Sequence, residues 1–151
     1  MVFLDAFFWI GFAGCIIALG FALLQSRKVL SLPEGNETMR KIAEAIRRGA
    51  NAYLRRQYRT LVVVFAVMAV ILGILAVFGL VSGFVPFAFI TGGIFSCTAG
   101  YVGMKIATSA NSRTAQAASE SLDKGLRAAF SSGAVMGFTV IGIGLFDISF
   151  W

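Results

Sequence analysis

Charged residues are scarce in this chain, and this scarcity defines its class. Only 13% of the 151 residues are charged, whereas 58% are hydrophobic, and the mean hydropathy is +0.86. A soluble domain carries roughly a quarter charged residues, so this chain has too little polar surface to cover a soluble globule. The composition therefore excludes an ordinary soluble domain and predicts an integral membrane protein.

Histidine is absent and cysteine is rare. Without histidine, the chain lacks the commonest zinc ligand and the commonest general base near neutral pH. Both cysteines, Cys15 and Cys97, fall inside apolar segments, so we interpret them as small buried side chains rather than as a disulfide. The Gly-x-x-x-x-Gly-Lys loop that binds phosphate in nucleotide hydrolases is also missing.

Long uncharged segments predict the membrane spans. Thr60–Met104 contains 45 residues without a charge, which would make a single helix of about 68 Å, so the segment must fold back within a bilayer. Ser82, Gly83 and Pro86 interrupt it, and proline suits the first turn of a new helix. We therefore predict a helical hairpin of Thr60–Val81 and Val85–Met104. The complete set of predicted transmembrane helices is about 4–26, 58–81, 85–107 and 127–150, with loops at about 27–57 and 108–126.

The positive charges predict the orientation. All thirteen Lys and Arg residues lie in two stretches, Arg27–Arg59 and Lys105–Arg127. Cytoplasmic loops collect Lys and Arg, whereas translocated loops do not. Because four spans bring both stretches to one side, we predict cytoplasmic basic loops, with both termini and the Ser82–Val85 turn outside. The predicted fold is an all-α integral protein of the cell (inner) membrane, with helical cytoplasmic extensions.

The first basic stretch carries the signals of a helix. Pro33–Asn36 predicts a turn that ends in a helix N-cap at Asn36. An apolar stripe at helical spacing follows, and the basic residues Arg40, Lys41, Arg47, Arg48 and Arg55 are predicted to lie largely off it. We favour a helix that packs against its neighbours or the lipid headgroups; a phosphate- or lipid-binding surface is the alternative. The stripe consists of Met39, Ile42, Ala43, Ile46, Ala50, Tyr53 and Leu54.

The second basic stretch is rich in alanine and contains no proline. It predicts a helix that extends the third span beyond the membrane, followed by a turn near Asp123–Gly125. The acidic residues Glu34, Glu37 and Glu44 are interpreted as helix-start residues and as ion-pair partners three or four residues away along the helix, rather than as metal ligands.

Small residues recur at helical spacing inside the spans. Such ridges let helix backbones approach closely in a membrane, so the first, third and fourth spans are predicted to pack against other helices. The second span, rich in Val, Ile, Leu and Phe, is predicted to face lipid. The ridges are Gly11, Gly14 and Ala18; Gly92, Ser96 and Gly100; Ala99, Gly103 and Ala107; and Gly133, Gly137, Gly142 and Gly144.

Chemistry-bearing residues are missing from the interior of the predicted spans. Asp5 and Asp147 fall near the outer ends, where an acid costs little, and no charged residue lies at mid-depth. Ion pumps and channels usually carry an intramembrane ionisable group, so this chain alone shows no ion pathway. The sequence predicts no catalytic, cofactor-binding or metal-binding residue.

Three blocks of the sequence nevertheless carry a family resemblance. They are Glu34–Ala43 with Ile46–Tyr58, then Ala99–Thr108 with Ala110–Ala118, and finally Gly133–Gly137. In this order they resemble the first part of the membrane-bound inorganic pyrophosphatases, the pyrophosphate-energised proton or sodium pumps. The resemblance covers nearly the whole chain but only the start of the much longer family members.

The resemblance implies a supporting role. The family hydrolyses magnesium pyrophosphate, in some cases with K⁺ as an activator, and forms homodimers in the lipid bilayer. Its magnesium- and pyrophosphate-binding Asp and Lys residues lie on later spans, so none maps onto this chain, which binds no cofactor itself. The first four spans belong to the outer ring, and their partners are the remaining helices of the pump.

Two alternatives belong to other functional classes. The first is a free-standing four-helix scaffold or assembly subunit without enzymatic activity. Its test is the DNA that follows the Trp151 codon, since an open frame encoding further spans would favour a pump. The second is a lipid- or nucleic-acid-binding surface on Arg27–Arg59, which salt-dependent binding would reveal. We expect no nucleic-acid partner.

Overall fold

Four helices account for almost the whole described chain. The computed structural model describes the backbone of residues 2–151 and the side chains of residues 8–151. In chain order the helices are α1 (Val2–Leu30), α2 (Glu37–Val77), α3 (Val85–Glu120) and α4 (Leu122–Phe150). Each is long and apolar enough to cross a membrane. The predicted all-α, four-helix membrane architecture is confirmed. The exact membrane boundaries stay predictions, and the side chain of Asp5 lies outside the described residues.

The start of α2 follows the predicted turn and cap. Gly35 adopts a φ of 86°, a left-handed conformation that favours glycine. Asn36 is extended, and its side-chain oxygen accepts a hydrogen bond from the Met39 N–H at 2.9 Å. This bond satisfies one of the free N–H groups of the first turn. The N-cap prediction is confirmed, and α2 then continues without a break into the predicted second span.

The end of α2 differs from the prediction. The helix stops at Val77, four residues before the expected end at Val81. Gly79 stands in the left-handed region with φ of 72°. Its N–H bonds the Ala76 carbonyl, and the Leu80 N–H bonds the Leu75 carbonyl, both at 3.0 Å. This is a Schellman termination, which glycine allows at little conformational cost. The next helix begins at Val85 with Pro86 in its first turn, as predicted.

The connection between α3 and α4 is a single residue. The turn predicted near Asp123–Gly125 is wrong, because α3 extends to Glu120 and α4 begins at Leu122. Ser121 is extended, and its hydroxyl accepts a hydrogen bond from the Lys124 N–H at 3.2 Å. Gly125 lies inside α4, where a Cβ would stand 2.8 Å from the Ala118 Cα. Because glycine has no side chain, Gly125 allows α3 and α4 to approach closely; it does not form a turn.

The helices pack as a row rather than in chain order. Among the described residues α4 lies between α1 and α3, α2 packs only on α3, and α1 does not pack on α2. The face of α2 that points away from α3 is exposed in this chain, in keeping with its predicted lipid-facing character. We call the end at which α1 and α3 finish and α2 and α4 begin the basic end, because the two basic stretches lie toward it.

Small side chains form most of the buried interior. Ala18, Ala99, Ala110 and Ala128 are each at most 5% exposed, and Val29 and Val135 are the largest fully buried side chains. Cys15 is buried, Cys97 is half-buried, and both are free thiols. The backbones can therefore come close, which strengthens dispersion contacts in a membrane, where water exclusion gives no advantage.

The predicted glycine ridges divide into two groups. Gly103 packs against Met136 and Gly142 against Leu19, since a Cβ at either position would lie within 3 Å of those side chains. By contrast, a Cβ at Gly133, Gly137 or Gly144 would meet no described atom within 4 Å. Helix α4 packs on α1 and α3, as predicted for the fourth span, but these three glycines contribute no contact within the described chain. Gly93, which lies outside the predicted ridges, instead packs against the Phe65 ring and joins α2 to α3.

Gly142 and Gly144 allow a matched test of the packing. Both are helical glycines of α4, so Gly→Ala gains the same intrinsic propensity at each. At position 142 the new Cβ would stand 2.7 Å from Leu19 Cγ and 3.3 Å from the Leu19 N. We expect Gly142→Ala to be less stable than Gly144→Ala by about 1–3 kcal/mol, the usual cost of overpacking. Denaturation in detergent micelles measures the difference, and equal stabilities would contradict the α1–α4 contact.

Candidate functional site at the basic end

The loop between α1 and α2 crosses the end of α3. Because α1 and α2 lie on opposite sides of the row, residues 31–36 must span the basic end to connect them. Gly35 lies against α3, and a Cβ there would stand 2.9 Å from the Gln116 side-chain oxygen and would also collide with the Met39 sulfur. A side chain at position 35 is therefore excluded both by the backbone conformation and by the lack of space.

Arg113 of α3 holds this crossing loop. Its Nε donates to the Leu32 carbonyl at 3.0 Å, and its Nη1 donates to the Ser109 carbonyl one turn earlier in α3. The same Nη1 lies 3.0 Å from Glu34 Oε1. Arg47 Nη1 of α2 donates to that carboxylate oxygen at 2.8 Å. One carboxylate thus joins two arginines from different helices to the loop.

The side chains of this network are largely shielded from water, so solvent only partly weakens the attraction between their charges. The side chains of Arg113, Glu34 and Arg47 are 13%, 24% and 32% exposed. The hydrogen bond from Arg47 holds the pKa of the Glu34 carboxyl below its ordinary value, against the opposing effect of partial burial. The positive charges of Arg113 and Arg40 lower it further. Glu34 is therefore ionised at neutral pH and fixes the loop by charge-assisted hydrogen bonds.

Two predictions about this region are corrected by the network. Arg47 lies on the face of α2 that packs on α3, four residues after the buried Ala43, and not off the apolar stripe. Glu34 pairs with arginines thirteen and 79 residues away in sequence rather than with a local helical partner. Arg47 follows Ala43 by four residues, so helical spacing alone could have placed it on the same face. Helical spacing could not have shown that Glu34 pairs with Arg113, because Arg113 belongs to another helix.

The other acidic residues of this end behave as local partners. Glu37 pairs with Lys41 and Glu44 with Arg48, each four residues apart, which confirms their interpretation as helical ion-pair partners. Within the predicted stripe, Ala43 and Leu54 are buried, whereas Ile42, Ile46 and Tyr53 remain exposed. The stripe is therefore wider than the contact with α3, which uses only one edge of it.

The three sequence blocks meet one another in the structure. Glu34 of the first block contacts Arg113 of the second. Tyr58 at the end of the first block donates a hydrogen bond to the Cys97 carbonyl, next to the start of the second. Gly103 of the second block packs against Met136 of the third. The blocks that carry the resemblance thus supply contacts between helices.

Metal-binding groups do not gather in this arrangement. Among the residues with described side chains, 8–151, no group of three or more His, Cys, Asp or Glu side chains could hold a metal ion. Magnesium takes carboxylate oxygens in near-octahedral geometry, whereas Glu34 is occupied by two guanidinium groups. The Glu34 carboxylate is therefore engaged by the arginines rather than open to a metal ion.

Comparison with known proteins agrees with the family resemblance of the three sequence blocks. Residues 16–151 match the sequence model of the family described as inorganic H⁺ pyrophosphatase. The chain is 47% identical over 145 residues to a protein of Bacteroides thetaiotaomicron whose provisional name is K⁺-stimulated pyrophosphate-energized sodium pump. It is 44% identical over 135 residues to the K⁺-insensitive pyrophosphate-energized proton pump of Methanosarcina mazei.

These similarities cover nearly all of this chain but little of its relatives. The matches include 95% and 89% of the chain, and in each case 20% of the relative. A K⁺-insensitive pyrophosphate-energized proton pump 2 of Moorella thermoacetica gives the same picture, with 42% identity, 91% of this chain and 20% of the relative. The chain thus spans about a fifth of the length of the curated relatives it matches.

The network predicts a pH-dependent stability. We expect Glu34→Gln to lower the free energy of unfolding by about 1.5–3 kcal/mol at pH 7, because two arginines lose a charged acceptor. Since the folded-state pKa of Glu34 is depressed, its stabilisation is complete above the unfolded value of about 4.3 and is lost as the pH falls through the folded value. The difference between the variant and the unchanged chain should shrink from pH 7 to pH 3.

Glu44→Gln is the matched control for this measurement. Its carboxylate pairs with Arg48 at an exposed site, with side chains 62% and 75% exposed. Such surface pairs contribute little, so we expect a change below about 0.5 kcal/mol. Unfolding in detergent micelles from pH 3 to 7 compares the variants, and equal losses for both would argue against a special role for Glu34.

Proposed function

Because the chain belongs to the inorganic H⁺ pyrophosphatase family, we propose that it forms the first four helices of a pyrophosphate-energised ion pump. In this proposal the complete pump hydrolyses pyrophosphate and moves H⁺ or Na⁺ out of the cytoplasm. The proposal names both ions because the relatives include a sodium pump and proton pumps, and their sequence identities to this chain are similar. This chain supports the other helices and does not carry out the chemistry.

The contacts formed by the three sequence blocks are the observation that supports a structural role for this chain. Their residues form the Glu34–Arg113 ion pair, the Tyr58 hydrogen bond and the contact of Gly103 with Met136. Side chains that hold helices together serve the geometry of a larger assembly rather than bond cleavage. In this proposal magnesium, and K⁺ where it activates, bind to the remaining helices; residues 8–151 hold no group of three or more possible metal-binding side chains.

We also propose the orientation and the assembly. The basic end faces the cytoplasm in the cell membrane, as expected from the concentration of Lys and Arg there. Both termini and the α2–α3 turn lie outside. The remaining pump helices and a second pump subunit are the protein partners, and the bilayer surrounds the exposed apolar faces.

A complementation experiment tests the supporting role. Residues 1–151 would be coexpressed with the Bacteroides relative from which the matching segment has been deleted. We expect magnesium-dependent pyrophosphate hydrolysis in membranes that contain both parts, and none with either part alone. Hydrolysis by the purified 151-residue chain would refute the supporting role. Full activity of the shortened relative without this chain would favour the free-standing scaffold.

Cysteine labelling tests the orientation. Ser82 in the α2–α3 turn and Ser119 near the basic end are both exposed, so either can be changed to Cys with little disturbance. We expect a membrane-impermeant maleimide to label Ser82→Cys in intact cells and Ser119→Cys only after permeabilisation. The unchanged chain, with Cys15 buried and Cys97 half-buried, is the background control. The reverse labelling pattern would invert the proposed topology.

A further inference from the structure

A cavity with a basic wall opens at the basic end between α1, α3 and α4. Its volume is about 430 Å³, within the usual range of sites for small molecules. Leu32 and Ala117 of its lining are half-buried and Pro33 is exposed, so these three residues give it an accessible apolar floor. Four cations line it together with a single carboxylate: Lys28, Arg113, Lys124, Arg127 and Glu120. Glu34 and Asp123 pair with Arg113 and Arg127 from outside the lining, so the four cations and three carboxylates together carry a net charge of +1.

Three of these cations are available to a ligand. The guanidinium group of Arg113 already bonds Glu34 and two carbonyl groups. It therefore forms part of the cavity wall but is not free to bind a ligand. Lys124 and Arg127 pair only with Glu120 and Asp123 of their own surface, at exposed sites four residues apart. Such pairs contribute a few tenths of a kcal/mol, so exchange for another anion costs little. Among the described residues Lys28 has no ion-pair partner.

The depth of the cavity indicates the source of the anion. Lys28 lies two residues beyond the predicted end of the first span at residue 26, and Arg127 lies at the predicted start of the fourth. At about 1.5 Å per residue, both fall within the headgroup layer, which is about 5–7 Å thick on each side of the hydrocarbon core. Arg113 and Glu120 of α3 lie six and thirteen residues beyond the predicted end of the third span at residue 107, about 9 and 20 Å along the helix, so the cavity opens from the headgroup layer outward. A phospholipid offers a phosphate for the cations and the first methylene groups of its acyl chains for the apolar floor.

We propose that this cavity binds the phosphate of an anionic phospholipid, held by Lys28, Lys124 and Arg127 above the apolar floor of Leu32, Pro33 and Ala117. Basic pockets between transmembrane helices at the cytoplasmic side suit such headgroups. The lipid joins the end of α1 to the start of α4 at the point where both leave the membrane. This role is independent of pyrophosphate hydrolysis.

Native mass spectrometry of the purified chain measures the interaction. The probes are dioleoyl phosphatidylglycerol and dioleoyl phosphatidylcholine, added to the delipidated protein in detergent. We expect one phosphatidylglycerol molecule to bind tightly and phosphatidylcholine to bind at least tenfold more weakly. Equal binding of the two lipids would overturn the proposal, because it would show that the anionic charge is not recognised.

Two double variants separate the cavity from the general basic surface. Lys124→Gln with Arg127→Gln removes two cavity cations, each in an exposed i,i+4 ion pair. Lys41→Gln with Arg48→Gln removes the same residue types from the same kind of pair on α2, outside the cavity. Each basic group near an anionic lipid contributes roughly a fivefold factor. We expect the first variant to bind phosphatidylglycerol about 25-fold more weakly and the second to be almost unchanged.

A third variant gives an effect of opposite sign. Glu120→Gln removes the only carboxylate among the cavity-lining residues of the described chain and releases Lys124. We expect phosphatidylglycerol to bind several-fold more tightly, an increase that a general loss of structure cannot produce. Helical content from circular dichroism verifies that each variant is folded. Weaker binding by the Glu120 variant, or equal losses in both double variants, would overturn the proposal.

Soluble phosphates distinguish the source of the ligand. The same measurement is repeated with millimolar inorganic phosphate, pyrophosphate or glycerol 3-phosphate as a competitor. We expect less than a twofold loss of bound phosphatidylglycerol, because these ions lack the apolar part that the floor accepts. Complete displacement by any of them would show a site for a soluble phosphate and would refute the assignment to lipid.

Discussion

The crossing of the α1–α2 loop over α3 is the constraint on which the arrangement depends. Consecutive helices usually lie side by side, but here α1 packs on α4 while α2 packs on the far side of α3. The loop can make this crossing only if its polar groups find partners at the end of α3. Arg113 supplies them through the Leu32 carbonyl and the Glu34 carboxylate, and Arg47 completes the network from α2.

Below this crossing, small residues decide how closely the helices approach. Gly142 allows contact with α1, Gly103 with Met136, and Gly125 allows the abrupt reversal from α3 into α4. The polar network therefore fixes the order of the helices, and the glycines fix their spacing. Together these features hold the four helices in one arrangement without a cluster of catalytic groups in the described part of the chain, in keeping with the supporting role proposed for it.

Much of the fold follows directly from the sequence. The four apolar segments, the Asn36 cap and the Pro86 helix start arise from local chemistry: hydrocarbon requires internally bonded backbone, and caps need a short polar side chain. The helix end at Val77 was missed because Ser82, Gly83 and Pro86 gave a stronger turn signal than Gly79. Gly125 was misread because glycine serves both turns and close packing, and the sequence does not distinguish the two uses.

The sequence by itself determined the class, the number of helices, the basic end and the family blocks, since all of these depend on composition and on neighbouring residues. Only the tertiary structure decided which glycines meet a neighbour, why Arg47 faces α3, and that Glu34 is shared with Arg113. These features depend on the rotation and order of the helices. Once the ends of α1 and α3 meet the start of α4, Lys28 and Arg127 line one cavity, although they are 99 positions apart in the chain.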